Sequence, residues 1–113
     1  MPWADFDDED LIILQVLINT LIPPDDHPGG WEGGVATYLE LSFQSHLRQF
    51  VPYYQDSIRA LGRKFLDQNP EDRIETLRNF DQQFVNLAAM HAAEGYYASP
   101  GPGWQMIGFE VTA

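Results

Sequence analysis

The segment that decides the fold is LIILQVLINTLI, residues 11–22. Only Gln15, Asn19 and Thr20 interrupt its apolar residues, and a helix that is apolar on most sides belongs in the centre of a domain. The run is shorter than the roughly 20 residues that a membrane-spanning helix needs. We therefore predict a core helix and no direct membrane insertion.

The flanking residues predict where this first helix begins and ends. Asp7 and Asp10 resemble a capping box, in which two side chains accept hydrogen bonds from backbone N–H groups of the first turn. Pro23 disfavours the helical conformation in the residue before it. We expect the helix to begin near Asp7 and to end before Pro23.

Further helical patterns follow along the chain. Apolar residues spaced near i+4 predict a second helix over residues 32–50, and Pro52 fits the first turn of a third. Asn69 as N-cap and Pro70 at the first helical position start the last pattern. A kink near Asn79 would decide whether that last pattern is one long helix or two.

The composition fits one globular domain. The 113 residues are 44% hydrophobic and 20% charged, which is the balance of a folded domain and not of a disordered chain. No alternating strand pattern is longer than the last few residues. We predict a single all-α domain over residues 1–113, a small bundle of about four to five helices with an ordered C-terminal segment rich in glycine, proline and aromatic residues.

Charge and cysteine content exclude several classes of function. The formal net charge is −11, and all six Lys and Arg lie between Arg48 and Arg78. Nucleic acid is not an expected partner, because phosphate binding requires basic clusters. The chain has no cysteine, and no serine has the context of a nucleophile elbow. We therefore predict no catalytic residues and no enzymatic activity of the isolated chain.

A compact group of metal-ligand residues follows the first helix. Asp25, Asp26 and His27 would need further ligands, such as His91 and Glu94, to hold a metal ion. Capping of the loop by one of the aspartates explains the same residues, so we predict no metal site. A self-sufficient metal-dependent enzyme built on these five residues is one alternative hypothesis, and a helical homo-oligomer is another.

Glycines and histidines have structural interpretations as well. The segment GGWEGG, residues 29–34, lacks the preceding strand and the order of a dinucleotide-binding fingerprint, so it predicts a turn and a helix start. Its second pair, Gly33 and Gly34, suggests close approach of backbones. His46 and His91 lie along apolar faces, which predicts hydrogen-bonded core histidines.

Aromatic residues outside the helical stripes favour a partner surface. Trp3, Trp31 and Trp104 lie in loops or near the ends of the sequence, and tryptophan is enriched at interface hot spots. The stretch from Glu94 to Phe109 carries more apolar area than a solvated tail would. We expect Gly95 to allow close packing where the last helix ends, and the following residues to cover apolar helix surface of this chain or of a partner.

Three segments resemble one protein family. TLIPPDDHPGG (residues 20–30) is similar to the Leu-Ile-Pro-x-x-Asp-x-Pro-Gly element of the gluconate 2-dehydrogenase subunit 3 family. LGRKFLDQNPEDRIETL (61–77) resembles its Gly-Lys-x-Phe element with the acid-rich helix start, and EGYYASPGPGWQMIGF (94–109) resembles its closing pattern. The loop between Pro100 and Trp104 is shorter than is common in the family.

The resemblance implies a non-catalytic small subunit. Such a subunit binds and stabilises or matures an FAD-dependent sugar or polyol oxidoreductase of the glucose-methanol-choline type, often beside a cytochrome c subunit. FAD would belong to the partner, and this chain would bind no cofactor. We expect the partner interface at Pro23, Pro24, Asp25, Gly29, Gly30, Trp31, Tyr96, Tyr97, Trp104 and Phe109.

The compartment is predicted from the absence of an export signal. The family commonly carries a twin-arginine leader, and residues 1–5 contain neither that motif nor the basic start of a signal peptide. The sequence as it stands therefore predicts a cytoplasmic protein. It would be periplasmic if it were exported with a partner or if a leader had been removed.

Overall fold

The computed structural model of the chain describes residue 3, residues 5–24 and residues 28–98. These residues form five α-helices, with one π-helical turn and one 3₁₀ turn between them. In chain order the elements are α1 (Asp8–Leu21), the π turn Trp31–Val35, α2 (Ala36–Ser42), the 3₁₀ turn Arg48–Phe50, α3 (Val51–Asp67), α4 (Pro70–Arg78) and α5 (Gln82–Ala98). The described residues include no strand, and the predicted all-α helical bundle is confirmed.

Helix α1 is the central helix that the apolar run predicts. The Asp7 carboxylate accepts a hydrogen bond from the Asp10 N–H at 2.8 Å, and the Asp10 carboxylate accepts one from the Asp7 N–H at 3.3 Å. The capping box is thus confirmed. The side chains of α1 that are almost completely enclosed are Ile13, Leu14, Leu17 and Ile18. Burial of each contributes about 1.5–3 kcal/mol, which makes α1 the centre of the core.

No helix of the described residues combines the length and the apolar composition that crossing a bilayer requires. This agrees with the interpretation of residues 11–22 as a core segment, since α1 has 14 residues.

The single helix predicted over residues 32–50 is wrong. Gly34, inside the π turn, has a φ of 124°, a conformation available to glycine, and it kinks the chain before α2 begins. Helix α2 ends at Ser42, after which the Leu47 N–H donates to the Ser42 carbonyl at 2.8 Å. The Ser45 hydroxyl donates to a backbone carbonyl of α2 at 2.9 Å, which stabilises the turn in place of a continued helix. Residues 32–50 show i+4 spacing because apolar side chains from the helix and from the turns on both sides of it pack on the core.

Asn79 separates α4 from α5, so the last helical pattern forms two helices. At the start of α4, the Asn69 side chain accepts a hydrogen bond from the Asp72 N–H at 2.9 Å, which confirms the predicted N-cap. At its end, the Glu75 carbonyl accepts from the side-chain amide of Asn79 at 3.0 Å and from the Asn79 backbone N–H at 3.3 Å. Asn79 therefore closes the last turn of α4 with two hydrogen bonds.

Helix α3 contains a break that periodicity does not reveal. Gly62 has φ 69° and ψ −174°, a backbone conformation that is essentially restricted to glycine. Arg59 and Arg63, on either side of it, pair with Asp10 at 3.2 Å and with Glu9 at 2.6 Å. The break therefore lies where α3 is joined to the first turn of α1.

Candidate functional site

A groove lies between the C-terminal half of α1 and the start of α4. Its volume is about 430 Å³, within the range of ligand clefts. Helix α1 contributes Gln15, Val16, Asn19 and Thr20, and α4 contributes Pro70, Arg73 and Ile74. Pro23 and Pro24, which follow α1, complete the lining. We call this surface the α1–α4 groove.

The α1–α4 groove presents rigid apolar surface. The three prolines have fixed φ angles and carry no backbone N–H. Ile74 is 44% exposed. Ile12, which is 50% exposed, lies one helical turn before Val16, so it extends the same apolar face along α1. An apolar surface shared by several side chains and prolines, as here, is typical of a surface that another molecule covers.

The guanidinium of Arg73 is directed to the end of α3. Its Nε donates to the Phe65 carbonyl at 3.0 Å, and its Nη2 donates to the Leu66 carbonyl at 2.7 Å. The guanidinium carbon also lies 5.9 Å from the centre of the Phe65 ring. Arg73 thus satisfies two carbonyls at the end of α3.

A second candidate site lies where α5 packs against the π turn and α2. A Cβ atom at Gly95 would lie 2.9 Å from the Cβ of Tyr38, and one at Gly33 would overlap the ring of Tyr96. The predicted close packing at Gly95 is confirmed, although α5 continues beyond it to Ala98. At Gly33 the close approach is made by the Tyr96 ring and not by another backbone. We call this contact, together with the hydrogen-bonded pair of Tyr54 from α3 and His91 from α5, the α2–α5 seam.

Polar side chains are paired along the α2–α5 seam. The Tyr38 hydroxyl donates to Glu94 Oε2 at 2.6 Å and lies 3.4 Å from His46 Nε2. In the interior, the Tyr54 hydroxyl is 2.8 Å from His91 Nδ1, and the two rings stack at 5.8 Å. Among the described residues, no buried side-chain nitrogen or oxygen lacks a hydrogen-bond partner.

The environment of Tyr38, Tyr54 and His91 keeps them uncharged at neutral pH. Burial, followed by the hydrogen bond to Glu94, raises the pKa of Tyr38 to about 12. Burial also raises the pKa of Tyr54 and lowers the pKa of His91. At neutral pH both phenols are therefore protonated and His91 is neutral. The cluster is hydrogen-bonded packing between helices and contains no activated nucleophile.

The prediction of core histidines is confirmed for one residue and wrong for the other. His91 is 2% exposed and hydrogen-bonded. His46 is exposed, because α2 ends at Ser42 and His46 lies in the turn that follows it. The continuous helix assumed for residues 32–50 was the source of this error.

The metal-site hypothesis required His91 and Glu94 together with Asp25, Asp26 and His27. The last three lie outside the described residues. His91 and Glu94 are each hydrogen-bonded to a tyrosine. Within the described ranges, no group of three or more His, Asp or Glu side chains is arranged to hold a metal ion.

The residues expected to contact a partner fall into different environments. Pro23, Pro24 and Tyr97 are exposed, whereas Gly29 and Gly30 are buried. A Cβ at Gly29 would lie 2.6 Å from Asn19 Oδ1. Asp25, Trp104 and Phe109 lie outside the described part of the chain.

Two aromatic residues expected at the interface pack mainly within this domain. The Trp31 N–H donates to Asn19 Oδ1 at 3.0 Å, and its indole stacks on that of Trp3 at 5.7 Å. Tyr96 is 4% exposed, and its hydroxyl donates to the Pro28 carbonyl at 3.1 Å. Both residues hold the segment that follows α1 against the rest of the fold.

Sequence analysis missed the contribution of α4 to the exposed surface. Ile74 belongs to an apolar helical stripe in the sequence, and a single long helix would bury such a stripe. Within α4 (Pro70–Arg78), Leu77 is buried in the core while Ile74, three residues earlier, is exposed at the rim of the groove. The sequence carries no signal for this difference, because both residues lie on the same apolar stripe.

No protein family, curated protein or solved structure matches this chain. The resemblance to gluconate 2-dehydrogenase subunit 3 therefore stays a prediction from the three segments.

Proposed function

We propose that this chain is a non-catalytic accessory subunit that binds and stabilises an FAD-dependent sugar or polyol oxidoreductase of the glucose-methanol-choline type. The observation that supports this most is the composition of the α1–α4 groove. Pro23 and Pro24 come from the first segment with family resemblance, and Pro70, Arg73 and Ile74 come from the second. Segments far apart in the sequence thus form one exposed apolar surface.

The third segment is joined to the first by a hydrogen bond. Tyr96 of the third donates to the carbonyl of Pro28 in the first. Gly95, its neighbour, allows α5 to pack against Tyr38 of α2. The described parts of the three segments therefore depend on one another, which supports a common role for them in presenting the groove.

In this proposal the chemistry belongs to the partner. FAD is bound by the large subunit, and a cytochrome c subunit accepts electrons in complexes that contain one. This chain contributes an exposed apolar surface with three prolines of fixed φ. The complex is cytoplasmic, or periplasmic where the large subunit carries this chain across the membrane.

Binding alone is sufficient to stabilise a flavoprotein. A ligand that binds only the folded state at about 100 times its dissociation constant adds roughly 2.7 kcal/mol to the free energy of unfolding. That is a large part of the roughly 5–15 kcal/mol that separates a typical domain from its unfolded state. A small subunit without a cofactor can therefore raise the yield of a flavin-loaded partner.

Co-expression tests the proposal. A flavoprotein of this type from the same organism is produced with and without this chain, and bound flavin per large subunit is measured by absorbance after purification. We expect soluble, flavin-loaded large subunit to increase several-fold with the chain present and the two to co-purify. Equal amounts of flavin-loaded large subunit in both preparations would show that the accessory role is wrong.

A further inference from the structure

Acidic side chains lie at the starts of both helices that form the α1–α4 groove, on faces that continue from it. Asp8 lies one turn before Ile12 on α1, and Glu71 lies three residues before Ile74 on α4, spacings that place each pair on one helix face. Both acids are exposed. The three ion pairs between described side chains include neither of them.

Basic residues near the groove offset these charges only in part. The chain has no Lys or Arg before Arg48, so α1 carries none. Arg73 lines the groove and keeps its positive charge, with its guanidinium donating to two carbonyls of α3, and Arg78 pairs with Glu75 at 3.4 Å. With a formal net charge of −11 for the whole chain, the rim of the groove has a negative potential.

The walls of the groove favour a helical occupant. Helices α1 and α4 satisfy their own backbone groups, and the three prolines offer no N–H, so an added strand would find no edge to pair with. An amphipathic helix needs only a hydrophobic groove for its residues at i, i+3, i+4 and i+7. Val16 and Ile74 line the groove and provide such apolar contacts, and Ile12 lies one turn before Val16 on α1.

We infer that the α1–α4 groove binds an amphipathic helix of the partner, with the apolar face on Val16 and Ile74 and flanking Lys or Arg near Asp8 and Glu71. This inference rests on the proposed function and adds the chemistry of the segment that the partner presents. Opposite charge at the rim accelerates association and fixes the orientation of the helix. The apolar contacts supply most of the affinity.

Peptide probes test the charge and the periodicity separately. The first probe is a labelled helical peptide of about 14 residues, with Leu at i, i+3, i+4 and i+7 and Lys on its flanks. A second probe has Glu in place of each Lys, and a third has the same composition as the first with the Leu spacing scrambled. Binding to the full chain is measured by fluorescence anisotropy at low and high salt.

We expect the basic amphipathic probe to bind about tenfold or more tightly than either other probe, with an affinity that weakens as salt is added. Equal binding of the acidic and basic probes would overturn the charge assignment. Equal binding of the scrambled probe would overturn the helical groove, because it would show attraction by net charge alone.

Two protein variants locate the site. Ile74→Ser removes an exposed aliphatic side chain from the groove, and Leu41→Ser removes one that is 62% exposed on α2. Binding of the basic probe should fall about tenfold with Ile74→Ser and stay within about twofold with Leu41→Ser. Backbone amide shifts on titration should concentrate at Val16, Thr20 and Ile74. Equal losses in the two variants, or shifts spread over the molecule, would overturn the inference.

Other outcomes separate this inference from the proposed function. If sedimentation showed a dimer that Ile74→Ser alone dissociates, a second copy would fill the groove and the inference would be wrong. If no probe bound while flavin loading still depended on this chain, the helix assignment would fall and the accessory role would stand. If the basic probe bound the groove while flavin loading did not depend on the chain, the accessory role would fall instead.

Discussion

The α2–α5 seam and the α1–α4 groove are built in opposite ways. In the seam, Gly33 and Gly95 bring elements into contact, and the tyrosines are hydrogen-bonded to Glu94 and His91. In the groove, aliphatic side chains and prolines face outward and acids at the rim form no ion pair with described residues. A region in which the polar groups are hydrogen-bonded and the elements are closely packed stabilises the fold. A region of exposed apolar surface is typical of a site that binds another molecule.

The largest expected effect comes from filling the seam. Gly95→Val would place side-chain atoms against Tyr38, whose Cβ is only 2.9 Å from the position of an added Cβ. We expect the free energy of unfolding to fall by about 3 kcal/mol, which is a typical cost of over-packing a core. Urea denaturation measures this change in stability. Ala60→Val, at an exposed position of α3, is the control and should change stability far less; similar losses in both would contradict close packing at the seam.

A smaller loss is expected from removing one buried hydroxyl. Tyr54→Phe keeps the ring and leaves His91 Nδ1 without the hydrogen bond seen at 2.8 Å. A buried polar group left unpaired costs about 2 kcal/mol, measurable by urea denaturation. Tyr53→Phe removes an exposed hydrogen bond to Asp81 and should cost less. A larger loss of stability from Tyr53→Phe than from Tyr54→Phe would contradict the account of the seam.

Acid should weaken the seam through His91. Burial lowers its pKa below the usual 6.5, so between 6.5 and the folded-state pKa the unfolded chain binds more protons. The free energy of unfolding therefore falls as the pH falls through this window. Urea midpoints at about pH 7.5 and pH 5.5 should differ more in the parent than in His91→Gln. An equal pH dependence in both proteins would exclude His91 as the cause.

The smallest effect on stability is expected in the groove. Ile74→Ser replaces a side chain that is 44% exposed, and exposed substitutions change stability within about 0.5 kcal/mol. Thermal or urea unfolding should therefore hardly distinguish this variant from the parent. A loss comparable to that of Tyr54→Phe would show that Ile74 supports the core and that the groove is not a free surface.

The sequence predicted the parts of the fold that local chemistry determines. The capping box at Asp7 and the N-cap at Asn69 were correct because each depends on hydrogen bonds within one turn. The helix breaks at Gly34 and Gly62 were not placed, because glycine is compatible with both helical and positive φ. The tertiary fold decides which of these two backbone conformations each glycine adopts.

The candidate site was only partly predictable for the same reason. Pro23 and Pro24 were expected at an interface from the sequence, and both line the groove. Ile74 was assigned to a helical stripe and is exposed, because its burial depends on where α4 ends and which neighbour covers it. Periodicity places a residue on a face but does not reveal what packs against that face.

Co-purification of the flavoprotein with two variants tests the central claim most directly. Ile74→Ser and Leu41→Ser are each co-expressed with the large subunit, and the amount of complex recovered by size exclusion is compared with the parent. The account predicts that Ile74→Ser lowers recovery about tenfold while Leu41→Ser leaves it near the parent level, with both variants equally stable. Parent-level recovery with Ile74→Ser would contradict the assignment of the α1–α4 groove as the surface that binds the partner.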